Sequence, residues 1–249
     1  MGTVGDSKPD GKRFPTTRRS LVSAARGTDE VAARKALDEL CQIYRMPLYF
    51  YARHRGHSPQ DADDLVQGLF LALIKQNSFA RVDAEIGRLR TYLKSALEHY
   101  EKDLREAAQA KKRGGGKLHI SWDVDFDAIE RAYQASRHPE TSPDDLYMCH
   151  CARRILDTAL GWLRERYRAD GRADDYDRLH RFIVGDLSDE TYREAARQLG
   201  YTESALKMAV KRIRERFGKV LREVIAGTVV DESEIEDEVR VLLSVLRRV

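Results

Sequence analysis

Apolar residues recur at helical spacing through most of the chain, and no segment shows the period-two alternation of a half-buried strand. The pattern starts near Thr16 and runs with short breaks to about Lys112, where Gly114, Gly115 and Gly116 end it. Residues 1–12 are polar and rich in Gly, Lys and Asp, a composition expected to be disordered. Residues 117–145 hold Trp122, Pro139 and Pro143 without a sustained period and read as a linker, with one short helix near 126–135. A second helical block follows, and an acidic, then apolar, piece ends the sequence. The predicted fold is all-α: two small helical domains at 14–116 and 146–226, a linker at 117–145 and an extension at 227–249.

Two helices dominate the first domain. One is predicted over 59–76, with Ser58 as N-cap, Pro59 in the first helical position and Asp61 in the first turn. Ala62, Leu65, Val66, Leu69, Phe70 and Leu73 form its core stripe, and Asp63, Asp64 and Gln67 share another face. The next is predicted over 84–112, with Ile86, Leu89, Leu93, Ala96, Leu97, Tyr100 and Leu104 turned inward. Arg88, Tyr92, His99, Lys102 and Arg105 are left on more exposed arcs.

In the second block a short helix over 191–199 is broken by Gly200, Tyr201 and Thr202, and a long helix runs over 203–226. Leu206, Val210, Ile213, Phe217, Val220, Leu221 and Val224 make its stripe. Ala196, Gly200 and Leu206 have the spacing of a helix-turn-helix. A small residue permits close approach, a glycine takes the positive φ that ends the first helix, and a leucine packs the second helix back. The outer face then presents Thr202, Glu203, Ser204, Lys207, Met208, Lys211 and Arg212, where such a motif enters a major groove.

Charge sharpens this picture. The net charge of the 249 residues is only +3, but Lys and Arg gather at 102–117 and 207–222, two places for a polyanion. Acids gather at 231–238. The three cysteines, Cys41, Cys149 and Cys151, are too few for a disulfide framework and fit a reducing compartment. The run Cys149-His150-Cys151 is too tight for a zinc knuckle, and Asp123, Asp125 and Asp127 lack the rest of a calcium loop. No nucleophile motif or phosphate-cradling glycine loop is found, so no enzyme, metal or cofactor is expected. No apolar run reaches membrane-spanning length and the first residues lack a signal-peptide core, so a cytoplasmic protein without membrane insertion is expected.

Three runs together carry a family resemblance. The run 192–214, YREAARQLGYTESALKMAVKRIR, resembles the C-terminal helix-turn-helix of bacterial sigma factors. The run 57–70, HSPQDADDLVQGLF, resembles their polymerase-binding helix, and 87–100, GRLRTYLKSALEHY, the helix that follows it. They stand in the family's order. Residues 14–18, FPTTR, and 112–116, KRGGG, resemble a subgroup of extracytoplasmic-function sigma factors with a C-terminal extension. The resemblance implies a factor that binds core RNA polymerase, recognises the −35 and −10 promoter elements and promotes strand opening, with no chemistry of its own. An anti-sigma factor or another regulator is a candidate third partner.

On this resemblance Asp61, Asp63, Asp64 and Gln67 meet the polymerase. Lys75, Asn77, Phe79, Arg88, Arg90, Tyr92, Lys94, His99 and Arg105 contact the −10 element, while Thr202, Glu203, Ser204, Lys207, Met208, Lys211 and Arg212 contact the −35 element. The chain departs from the family at Gly68, where an acid is common, at Tyr92, where Trp is common, and at Asp103, where Asn is common. A helix-turn-helix repressor or activator that ignores the polymerase is one rival reading and leaves 57–105 unexplained; a protein-binding scaffold is another, which salt-dependent promoter binding would exclude. The acids at 231–238, followed by Leu242, Leu243, Val245 and Leu246, allow two readings: a final helix that docks on either domain with its acids against the Lys or Arg needed for DNA, or a tail that only caps the core or is mobile.

Overall fold

The computed structural model describes residues 30–75, 88–110, 126–136, 141–183, 189–229 and 231–247, and among them it contains helices and no strand. In chain order the helices are α1 (Glu30–His54), α2 (Pro59–Lys75), α3 (Leu89–Ala110), α4 (Phe126–Ser136), α5 (Pro143–Ala169), α6 (Ala173–Leu179), α7 (Asp189–Leu199), α8 (Glu203–Ala226) and α9 (Ile235–Leu246). The expected helix start near Thr16, Asn77, Phe79, Ile86, the glycines at 114–116 and the runs 14–18 and 112–116 lie outside the described residues.

The apolar stripes become the core. All six predicted apolar positions of α2 are buried, as are all seven of α8. In α3 the stripe is shorter than expected: Leu89, Leu93 and Leu97 are buried, but Leu104 is 45% exposed. α2 packs on α1 and α3, which makes the first bundle.

α5 begins at Pro143. Ser142 caps this helix by accepting from the Asp145 amide at 3.0 Å, and Pro143 follows in the first turn, where its missing N–H costs nothing. α5 packs against α1 on one side and against α8 and α9 on the other. Near its start Tyr147 donates to the Arg90 carbonyl at 2.8 Å and Tyr51 meets the Tyr147 ring edge-on. Near its end Arg166 reaches Glu223 of α8. One continuous apolar cluster therefore runs from α1 to α9. α4 lies against α1 through Tyr133 and Phe50, whose rings are 5.6 Å apart. Its Glu130 is bound by Arg53 and Tyr49, and Arg53 holds that carboxyl down at about 2.

Candidate polymerase and nucleic-acid interfaces

The helix-turn-helix is built by short-range chemistry. α7 ends at Gly200, whose φ of +73° lets the Tyr201 amide donate to the Ala196 carbonyl at 2.9 Å. The Thr202 hydroxyl then accepts from the Ala205 amide at 3.2 Å and starts α8. Ala196 and Leu206 are both buried, so the two helices close on each other. On the outer face Lys207 pairs with Glu203 at 2.9 Å and lies 5.6 Å over the Tyr192 ring, and Lys211 pairs with Glu215 at 3.9 Å. Ser204, Met208, Lys211 and Arg212 are exposed. These ion pairs are solvated and weak, so their cations can be redirected to phosphate at small cost. Beside this face a groove of about 390 Å³ is lined by Arg172, Tyr201, Arg212, Arg216 and Lys219, among others. Asp175 binds Arg172 at 2.8 Å and Asp170 binds Arg216 at 3.5 Å, while the Arg212 and Lys219 side chains are exposed.

The start of α2 is arranged differently from expectation. The Ser58 hydroxyl caps the helix by accepting from the Asp61 amide at 3.1 Å, which leaves Asp61 exposed in the first turn. Asp63 and Gln67 do come together, but the patch turns inward. Asp63 accepts from Arg45 of α1 at 2.9 Å and from Gln67 at 2.7 Å. Gln67 is 7% exposed. The i, i+4 spacing sets the amide over the carboxylate, and Arg45 draws both toward α1. Asp61, with the half-buried Asp64, is what this face presents to a partner. Gly68 has a steric reason: a Cβ there would collide with the Tyr100 hydroxyl and approach the ring at 3.0 Å. An acid at position 68 and this placement of Tyr100 exclude each other, and Tyr100 packs against the core.

α3 carries the expected strand contacts in mixed states. Lys75, at the end of α2, and His99 are exposed, and Tyr92 is half-buried against the core. Lys94 pairs with Asp144 at 2.9 Å and lies 5.9 Å over the Tyr51 ring. Arg105 pairs with the buried Glu101, which also binds His57 at 2.7 Å and Arg55 at 3.3 Å. Arg90, expected to line a single strand, is instead 3% exposed. Its Nε points at the Met148 sulfur at 3.2 Å, and its guanidinium pairs with Glu238 of α9. Arg88 pairs with the same Glu238 carboxylate at 2.9 Å. Burial pushes the Arg90 pKa down from its ordinary value.

Sequence spacing places Glu238 within the acidic run at 231–238 without singling it out, and it gives Arg45 no role. The signal for Glu238 was available. It lies one turn after Ile235 and one turn before Leu242, on the side of α9 that buries Val239 and Leu242, whereas Leu243, expected on the apolar face, is 39% exposed.

The cysteines and His150 are interior. Burial pushes Cys41 and Cys151 up to about 12, so they are thiols at neutral pH. His150 meets Phe50 edge-on at 4.2 Å, and burial followed by Arg153 lowers it to about 4. Its Nε2 is buried with no hydrogen-bond partner among the described residues. Among those residues no group of three or more His, Cys, Asp or Glu side chains is placed to hold a metal, and no helix is long and apolar enough to cross a membrane.

The geometry defines a helical protein with a helix-turn-helix at one end and a three-helix bundle, rich in charge on α2 and α3, at the other. Residues 40–110, most of that bundle, match the family model of sigma-70 region 2. The match covers 71 of the 249 residues. No curated protein and no solved structure matches the chain at a significant level.

Proposed function

We propose that this protein is a sigma factor of the extracytoplasmic-function type. It joins core RNA polymerase through Asp61 and the half-buried Asp64 at the start of α2, reads a −35 element with α8 and helps open the −10 element with α3. The observation that carries this reading is the pairing, in one chain, of a segment matching sigma-70 region 2 with a helix-turn-helix whose outer face is polar and cationic. A repressor needs the second element and has no use for the first. The factor supplies binding energy and no bond chemistry, and an anti-sigma factor or other regulator is a candidate partner.

Run-off transcription with purified core polymerase on genomic fragments tests it. Discrete transcripts that depend on the added chain are expected. Specific duplex binding with neither transcript nor stoichiometric polymerase binding would establish a repressor or activator instead. Within the polymerase face, Asp61→Asn with Asp64→Asn is the probe, with helix content measured alongside because Asp61 also accepts from the Ser58 hydroxyl at 2.6 Å; Asp63 and Gln67 hold α2 against Arg45. The double variant is expected to weaken polymerase binding by tenfold or more, each 1.4 kcal/mol being a factor of about ten. Unchanged binding would remove this face from the interface.

A further inference from the structure

The start of α3 and the chain's last helix hold each other through a buried ion triad. Glu238 of α9 is 2% exposed and Arg90 is 3% exposed, and Arg88 closes the group from the same end of α3. A carboxylate between two guanidinium groups uses the same planar, charge-assisted contacts that a backbone phosphate uses. A helix that merely completed a core would gain more from an apolar side chain at position 238, since a buried ion pair is often no better than a hydrophobic replacement. The charge is better explained as one anion holding the place of another.

We infer that α9 is an intramolecular occupant of the strand-binding end of α3, with the Glu238 carboxylate standing where a nucleic-acid phosphate would go, and that α9 must lift before Arg88 and Arg90 meet single-stranded DNA. The inference rests on the proposed role of α3 in strand opening. The rest of the α9 seat is compatible with release. Val239 and Leu242 are its buried apolar side chains, Ile235 and Leu246 are partly covered, and Glu236 adds an exposed bridge to Arg222 of α8. The occlusion is selective. Ser204, Met208, Lys211 and Arg212 stay exposed on the outer face of α8, so duplex recognition is available while strand binding is closed. An order of events follows: the helix-turn-helix engages duplex DNA first, and α3 becomes available after α9 leaves. A strand offering several phosphates, or a partner that binds α9, supplies the displacement.

The test compares the full natural chain with Glu238→Gln, using a mixed-sequence single-stranded DNA oligonucleotide and a duplex of the same sequence. An affinity reduced by the fraction of competent molecules rises by the same factor when the lock is removed. Glu238→Gln is expected to bind the single strand about a hundredfold tighter or more, which corresponds to no more than about one open molecule in a hundred in the natural chain. Duplex affinity should stay within about twofold. Because the triad is buried, salt screens it little, so the ratio between the two chains should change less with salt than either affinity does. Hydrogen exchange on the natural chain gives a second reading that needs no variant: residues 235–246 should lose protection when single-stranded DNA is added and keep it with duplex. A folded Glu238→Gln chain that binds the single strand no tighter overturns the inference. So does α9 that stays protected with the strand bound, a result that remains decisive if Glu238→Gln fails to fold. Core-polymerase binding measured on the natural chain separates the two readings. If polymerase binds while α9 never lifts, the lock is wrong and the sigma-factor reading stands; if polymerase does not bind at all, the sigma-factor reading fails.

Discussion

Two cationic surfaces of this molecule face opposite circumstances. On α8 the cations Lys207, Lys211 and Arg212 lie in or near solvent, with Lys207 paired to Glu203 and Lys211 to Glu215, each one turn away. At the start of α3 the cations Arg88 and Arg90 meet a carboxylate contributed by α9, and Arg90 is removed from water. The first surface is ready for a polyanion; the second is already filled by the chain itself. A count of positive residues treats the two alike, but burial and partner make the first a weakly screened landing site and the second part of the core.

The largest expected effect comes from breaking the buried surface. Arg90→Ala leaves Glu238 buried with half its counter-charge gone and should cost about 3–5 kcal/mol of stability, read as a drop in the urea midpoint. A loss below 1 kcal/mol in a folded variant would mean that Glu238 reaches water or that Arg88 alone satisfies it.

Next is acidity, which acts on the buried side of the comparison. His150 sits in α5 against α1 with its pKa lowered to about 4 from 6.5. Between those values the unfolded chain holds more protons than the folded one, so stability rises with pH there and is lost as pH falls from about 6.5 toward 4. The shift corresponds to on the order of 3 kcal/mol. His150→Gln should flatten this part of the stability profile in denaturation series across the window; an unchanged slope would place the titration elsewhere.

A smaller effect probes the turn that presents α8. Gly200 has φ of +73° and nothing within 4 Å of where a Cβ would stand, so Gly200→Ala meets only the backbone penalty of that conformation. Thermal unfolding should report a loss of about 1–2 kcal/mol, with the exposed face otherwise intact. A much larger loss would mean that the turn is packed by chain outside the described residues.

The same contrast explains what could be read beforehand. The helix-turn-helix was legible because its determinants are neighbours: Ala196, Gly200, Thr202 and Leu206 lie within eleven residues, and each residue type has one local job. The stripes of α2 and α8 were legible for the same reason, since burial on an amphipathic helix follows from spacing alone. A final helix with its acids set against basic side chains was expected in outline, but the particular acid and its targets were not. Glu238 reads as one more acid in a solvated cluster until Arg88 and Arg90, far earlier in the chain, are brought to it. Asp63 and Gln67 were misread in the same way: an i, i+4 polar pair looks like an exposed face unless the reader knows that Arg45 lies across from it. Leu104 errs in the other direction, an apolar residue on the predicted stripe of α3 that is 45% exposed. Spacing reports which side of a helix a residue occupies; whether that side is covered depends on elements distant in sequence.

The smallest stability effect belongs to the open surface, and there function and stability should separate. Lys211 is exposed and its pair with Glu215 is 3.9 Å long, so Lys211→Ala should change folding stability by less than about 1 kcal/mol. If Lys211 meets a phosphate, the same substitution removes one counterion-releasing contact, and the slope of log affinity against log salt should flatten by about one unit on duplex DNA. The loss should be similar for all duplex sequences, because a phosphate contact positions the helix without reading a base. Ser204→Ala is the internal control: it removes an exposed hydroxyl with no charge, so it should leave the salt slope alone while changing the preference among sequences. Equal defects in slope and preference for both variants would show that the face acts as an undivided patch. An unchanged slope for Lys211→Ala would move the phosphate contact off this turn of α8, toward the exposed Arg212 and Lys219 beside the groove.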